Sequence, residues 1–174
     1  MSTFYLTANG FALFDHGDQP PLTKRTWFPW FREKYLAFRY GRIDRVAPVG
    51  LQGEQIAARF LRQNGFHILA HSARDRLGEI DLIATSPQRD IIIFLEVKTL
   101  WTSKPGHPAD RVDRDKQCRI TKAALRYLKR NQLLEVKTRF DVIAVRLPNQ
   151  PCRAIQISHI EAAFDAVGEY QFFH

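Results

Sequence analysis

The chain has 174 residues, 45% of them hydrophobic and 25% charged, with a formal net charge of +8 and a pI near 9.8. A chain of this length can bury a core without staples. Its longest uninterrupted apolar run, residues 91–95, is far short of the ~20 residues that a membrane span needs, and no basic-then-apolar leader opens the sequence. Two cysteines, Cys118 and Cys152, are too few and too far apart for a disulfide framework or a zinc ribbon, which points to reduced thiols in a cytoplasmic protein. The positive charge favours polyanions, with nucleic acid ahead of an acidic membrane surface.

Residues 1–49 show no sustained helical or strand period and read as a basic, aromatic N-terminal extension, partly irregular. Residues 24–45 hold seven basic residues interleaved with Trp27, Phe28, Trp30, Phe31, Tyr35, Phe38 and Tyr40. Such a stretch can stack on bases or lie on a membrane, or it can pack on the rest of the protein. From residue 50 to about 165 the pattern is orderly, and residues 166–174 form a short tail. Residues 53–64 predict a helix, with Ala57, Ala58 and Leu61 on one face and Gly65 as its stop. Strands follow at 66–71, 79–84 and 91–99, the last rich in β-branched residues. A loop containing Pro105, Gly106 and Pro108 leads to Asp113, which can cap a helix reaching about Asn131 with Ile120, Ala124, Tyr127 and Leu128 as its apolar stripe. A fourth strand at 139–146 and a short fifth at 154–157 come next. Ser158 and Glu161 then have the spacing of a capping box and predict a last short helix. This order gives an α/β domain with a mixed central sheet flanked by helices.

Polar groups stand where this scheme expects apolar ones. Alternation along a strand puts Phe94, Glu96 and Lys98 on one face of the third strand, and Glu79, Asp81 and Ile83 on one face of the second. The turn around Ser86-Pro87-Gln88-Arg89 pairs the two strands as a hairpin, so Asp81 can lie near Glu96. Two facing carboxylates repel unless a positive charge sits between them, and a hard divalent cation with oxygen ligands meets that need. Mg²⁺ is the usual one, with Mn²⁺ as its alternative. Glu54 lies on the inward face of the first helix, and Lys116 and Gln117 lie on the inward side of the second. Taken singly, Glu96 and Lys98 are a structural ion pair, Glu54 pairs with Arg74 or Arg76, and Asp141 is a buried carboxylate held by an arginine. His67, His71, His107 and His159 lack metal-ligand spacing. The convergence of several such groups from four elements carries the functional reading.

The segments Gly53-Glu54 with Ala57-Ala58-Arg59-Phe60-Leu61, Gly78-Glu79-Ile80-Asp81-Leu82-Ile83-Ala84, Phe94-Leu95-Glu96-Val97-Lys98-Thr99, Lys116-Gln117 and Arg139-Phe140-Asp141-Val142-Ile143-Ala144-Val145 resemble the bacterial YraN-like family. That family is similar to archaeal Holliday-junction resolvases and has the restriction-endonuclease-like fold. The resemblance covers residues 50–165 and leaves the first 49 outside. It implies that Asp81 and Glu96 are acidic metal ligands, with the Val97 carbonyl beside them and Glu54 as an outer ligand. It further implies that Lys98 closes a Glu-X-Lys element and that Gln117 is a helix-borne polar residue of the catalytic set. The nuclease motif usually has proline before the aspartate, and this chain has Ile80 there; the proline does no chemistry.

The activity so implied is metal-dependent hydrolysis of a nucleic-acid phosphodiester. Lys104, Arg111, Arg114, Lys116, Arg119 and Lys122 would grip phosphates without reading sequence, and a homodimer is implied if the substrate is a branched DNA junction. One alternative is a nucleic-acid-binding module that keeps the fold and cleaves nothing. A glycosidase also uses two carboxylates, but the lysine beside Glu96 and the excess of basic residues favour phosphate over sugar.

Overall fold

The computed structural model describes residues 2–7, 10–13, 43–44, 46–75, 78–101, 112–148 and 154–167. In chain order these form β1 (Ser2–Thr7), β2 (Gly10–Leu13), α1 (Val49–Gln63), β3 (His67–Asp75), β4 (Gly78–Thr85), β5 (Ile91–Trp101), α2 (Arg114–Arg130), β6 (Lys137–Leu147) and β7 (Gln156–Phe164). The strands make one seven-stranded sheet in the order β2-β1-β7-β6-β5-β4-β3. Only β5 and β6 run parallel, in register from Ile91–Lys137 to Trp101–Leu147. A parallel pair needs a crossover connection, and α2 is that crossover. This is the mixed α/β architecture that the sequence predicts, and it is consistent with a restriction-endonuclease-like fold. Among the described residues no helix is long and apolar enough to cross a membrane.

Among the described residues, each face of the sheet is covered by one helix. On one side Ile56, Ala57, Phe60 and Leu61 of α1 pack on Leu82, Leu95, Ile143 and Val145. On the other, Ile120, Ala124 and Leu128 of α2 pack on Ile83, Phe94, Phe140 and Val142. The apolar stripes read from the sequence are the buried ones, and Tyr127 lies half-buried at the edge of the second cluster with its ring set edge-on to Phe94. A β-strand with apolar residues on both faces is what a sheet sandwiched between helices demands.

The helix ends follow local chemistry. Asp113 Oδ1 accepts the Lys116 N–H at 2.7 Å, as expected of an N-cap. At the end of α1, Gly65 takes the left-handed conformation (φ 85°), while Phe66 N–H donates to Leu61 O and Gly65 N–H to Arg62 O. This double bond pattern closes a helix with glycine at the left-handed site. The end of α2 repeats it with Leu133 N–H on Leu128 O, but there Gln132 holds the left-handed position at φ 58°.

One expectation is overturned. No helix begins at Ser158: β7 runs through to Phe164, paired with β6 on one side and β1 on the other. Ser158 and His159 lie in the buried middle of the sheet, and Glu161 forms an ion pair with Arg139 at 3.0 Å. A four-residue capping signal loses to two flanking strands that satisfy the backbone along its length. At the start of the extension, whose sequence shows no strand period, β1 pairs with β7 from Ser2–His159 to Tyr5–Gln156, and β2 forms a hairpin with it. These strands are too short to show a period. The 102–108 loop lies outside the described residues.

A non-glycine residue in the left-handed region costs about 1–2 kcal/mol, and glycine gives back part of that relief through its freer unfolded chain. Gln132→Gly is therefore expected to stabilise the protein by about 0.5–1 kcal/mol, read from urea unfolding, with Gln132→Ala unchanged within error.

Candidate active site

Strand β5 supplies the centre. Glu96 is only 4% exposed, on the α2 face of the sheet next to Phe94. A buried carboxylate must be paired, and here two amines serve it. Lys98 Nζ, two residues along the same face, donates to Oε1 at 2.8 Å, and Lys116 Nζ from α2 stands 3.2 Å from Oε2. The second contact is close enough for charge attraction but off the line of a hydrogen bond, so Oε2 remains a buried oxygen without a hydrogen-bond donor.

Strand β4 supplies the second acid. Its ladder with β5 runs from Thr85–Ile92 to Leu82–Leu95. Past that point the Val97 N–H donates to the Asp81 side chain, Oδ2, at 2.7 Å. The carboxylate thus takes the place of a ladder carbonyl where the two strands part. The strict alternation expected for β4 breaks at the same point, since Ile80 and Ile83 pack in the same cluster on the α2 side. Burial first, and then the nearby charge of Glu96, raise the Asp81 carboxyl from an ordinary value of 3.8 to about 7; the Val97 hydrogen bond pulls the other way.

Helix α1 brings Glu54. A Cβ on Gly53 would fall 1.8 Å from Thr99 Oγ1, so the helix lies against β5 at a distance only glycine permits. Glu54, the next residue, is near enough for its charge to act on both Asp81 and His71. His71, on β3, is one of the histidines that the sequence sets aside for want of metal-ligand spacing. Burial and the Arg62 guanidinium, 3.0 Å from its Nε2, hold its imidazole below the ordinary value, and Glu54 partly offsets them.

The structure therefore brings Asp81, Glu96, Lys98, the Val97 backbone and Lys116 together, with Glu54 at the edge. Lys116, which the sequence places on the inward side of this helix as well as among the phosphate contacts, is turned inward, four residues before the buried Ile120. Gln117 goes elsewhere: its Nε2 donates to the Val112 carbonyl at 3.0 Å and ties down the start of α2. Arg114, Arg119 and Lys122 are exposed on α2. Lys104 and Arg111, and the side chains of Arg74 and Arg76, lie outside the described residues.

A divalent cation fits the donor set. Glu96 Oε2 is a buried oxygen without a hydrogen bond, and burial, with the Glu96 charge second, raises the neighbouring Asp81 carboxyl. Among the described residues no three Asp, Glu, His or Cys side chains gather into a cage, so Glu54 acts on the pair through space. Mg²⁺ needs no such cage, being commonly held by one or two carboxylates plus water and substrate phosphate.

A second polar cluster sits on the opposite, α1 face. Asp141 is fully buried, accepting Arg139 Nε at 2.8 Å, His159 Nε2 at 2.8 Å and the Ala162 N–H at 3.0 Å. Three residues of β7, Glu161 to Ala163, stand opposite this one residue of β6. Asp141 fills the bulge and is the arginine-held structural carboxylate the sequence suggested, with His159 as an added partner.

The description "Uncharacterised protein family UPF0102" matches residues 53–145, the span that contains every one of the converging groups. The chain belongs to this family. A UPF0102 protein of Rhodopirellula baltica is 53% identical over 142 residues, 82% of this chain and 85% of its own length. One of Syntrophus aciditrophicus is 44% identical over 124 residues, 71% of this chain and 94% of its own. Another, of Chlorobaculum tepidum, is 41% identical over 119 residues, 67% of this chain and 91% of its own. The family match leaves the first 49 residues outside, as expected, while the Rhodopirellula match, longer than everything after residue 49, takes in part of the N-terminal extension as well.

Two predictions follow from this packing. Gly53→Ala in this UPF0102 chain must push α1 off Thr99, a stiff β-branched side chain, and is expected to destabilise the fold by about 1–3 kcal/mol. Thr99→Ala should recover a large part of that loss in the double variant, and denaturant curves of the four proteins measure the coupling. Asp81 gives a pH signature. Its folded value lies above its unfolded value, so its contribution to stability is fully present below pH 3.8 and is lost as the pH rises towards about 7. Asp81→Asn keeps an acceptor for Val97 and cannot ionise. The stability of Asp81→Asn relative to the native chain should therefore climb between pH 4.5 and 8, by an amount on the order of 1–3 kcal/mol, read from paired melting curves. Parallel melting curves across that range would contradict the assignment.

Proposed function

We propose that this protein is a metal-dependent hydrolase of nucleic-acid phosphodiesters. The observation that carries this reading is the Glu96 carboxylate held between two amines beside a second acid, Asp81, at the point where β4 and β5 separate. Asp81 and Glu96 would hold the cation, with the Val97 carbonyl beside them. When bound, a divalent cation supplies an activated water and positive charge for the phosphate. Lys98, anchored on Glu96 Oε1, presents an ammonium that can orient the attacking water and stabilise charge developing on a non-bridging oxygen. Glu54 adds negative charge at the rim. The exposed Arg114, Arg119 and Lys122 of α2 offer non-specific grip on the phosphate backbone, in keeping with a net charge of +8.

A glycosidase is a poor fit to these contacts. The raised Asp81 carboxyl could serve as its acid, but the two ammoniums on Glu96 and the net charge of +8 favour a phosphate over a sugar. Nucleic acid, a branched DNA above all, is the substrate class, and a homodimer would present two such sites at fixed separation.

The test is cleavage of a panel of branched, duplex and single-stranded DNA and RNA with Mg²⁺ or Mn²⁺. The native chain should cut at least one substrate, and Glu96→Ala and Lys98→Met should each lower the rate by at least about a hundredfold, the scale of a lost transition-state contact. Salt-sensitive binding of the same substrates with no metal-dependent cut in any of them would leave a binding module that keeps the nuclease fold.

A further inference from the structure

We infer that Lys116 is a displaceable counter-ion, its amine standing in the free protein at the Glu96 oxygen that a divalent cation takes. The inference rests on the metal-site reading above and concerns the order and coupling of binding at that site.

The two oxygens of Glu96 are not equivalent. Oε1 is hydrogen-bonded to Lys98 at 2.8 Å. Oε2 has only the misaligned contact with Lys116 at 3.2 Å and no hydrogen bond. The weaker partner is the one that can be exchanged. Formal charge points the same way. Asp81, Glu96, Lys98 and Lys116, all ionised, sum to zero, and Glu54 at the rim brings the set to −1. A dication added to that set would leave an uncompensated positive charge in a partly buried site, a cost that falls when one ammonium moves out to water.

The fold lets the side chain leave while the helix stays. Val112 is buried, Asp113 caps α2 through the Lys116 N–H itself, and Gln117 Nε2 holds the Val112 carbonyl. The first turn of α2 is thus pinned at three points. The Lys116 side chain is 20% exposed, and its four-carbon stem can swing without moving the backbone. Once displaced, the ammonium lies at the mouth of the site, where a phosphodiester oxygen is its natural partner. Cation and phosphate should then favour one another: the cation frees the lysine, and the phosphate keeps it away. By linkage each ligand tightens the other by the same factor.

The test uses the full chain and Mn²⁺ as the probe, with the bound fraction read from its paramagnetic resonance. Lys116→Met is expected to bind Mn²⁺ at least about tenfold more tightly than the native chain, because a like charge a few ångströms away is gone. Lys129→Met, which removes the same charge from the far end of α2, should shift affinity less than about twofold, as a remote and screened charge does. Adding a short duplex should tighten Mn²⁺ binding in the native chain and leave the Lys116→Met value nearly unchanged. Mg²⁺ titration of the native chain gives a second readout that needs no variant. The side-chain nitrogen signal of Lys116 should move to that of a solvated ammonium, while that of Lys98 keeps its ion-paired position. If Mn²⁺ binds but Lys116→Met gains no affinity, or the Lys116 signal stays fixed while the Glu96 carboxyl signal moves, the counter-ion role is wrong and the metal site stands. If the native chain and the variants all fail to bind Mn²⁺ at millimolar concentration, the metal site and the counter-ion role both fall.

Discussion

Glu96 is a carboxylate at 4% exposure in a strand whose neighbours are otherwise apolar, and the geometry of the site follows from the need to neutralise it. One compensating charge comes from the same strand, where alternation places Lys98 beside it. The other comes from the crossover helix, whose first turn is fixed by a cap, a buried valine and a glutamine so that Lys116 arrives at the second oxygen. The parallel β5–β6 pair requires that crossover, so the sheet topology and the electrostatics of the site are parts of one arrangement.

The second acid depends on a break in regularity. While β4 and β5 pair, backbone groups satisfy one another and side chains point away from the gap. Where the ladder stops after Leu82–Leu95, an N–H is left over and Asp81 takes it. The side chain is thereby drawn to the gap between the strands, close enough to Glu96 for the two charges to repel. That repulsion, together with burial, stores the unfavourable charge that a cation or a proton relieves. Gly53 sets how close α1 lies on the other layer, since any larger residue would hold the helix and Glu54 away from β5.

Asp141 shows the opposite use of a buried carboxylate. It lies on the other face of the sheet, beside the same apolar layer, and its oxygens are taken by Arg139, His159 and the Ala162 N–H. Fully satisfied, it fixes a bulge in β7. Glu96 keeps one oxygen without a hydrogen bond and Asp81 is held by a single backbone donor. What sets Asp141 apart from the two carboxylates proposed as metal ligands is how fully its oxygens are hydrogen-bonded.

Much of this was legible in the sequence because the signals are local. The α2 cap at Asp113, the glycine stop at Gly65, the apolar stripes of both helices and the shared face of Glu96 and Lys98 each follow from a few residues and a fixed period. Where a local signal met a stronger long-range one it failed: the Ser158 capping box lies in a strand that needs its backbone for two neighbours, and β1 gains its identity from the edge of β7. Sequence by itself determined the helices, the central strands and the polar residues set on apolar faces, since propensity, capping and alternation act within one turn or one strand. Only the tertiary structure decided that Asp81 turns into the gap between β4 and β5, that Lys116 and not Gln117 reaches Glu96, and that β7 is a central strand. Each of these depends on which backbone groups and charges are left unpaired after distant segments meet, and no window of sequence contains both partners.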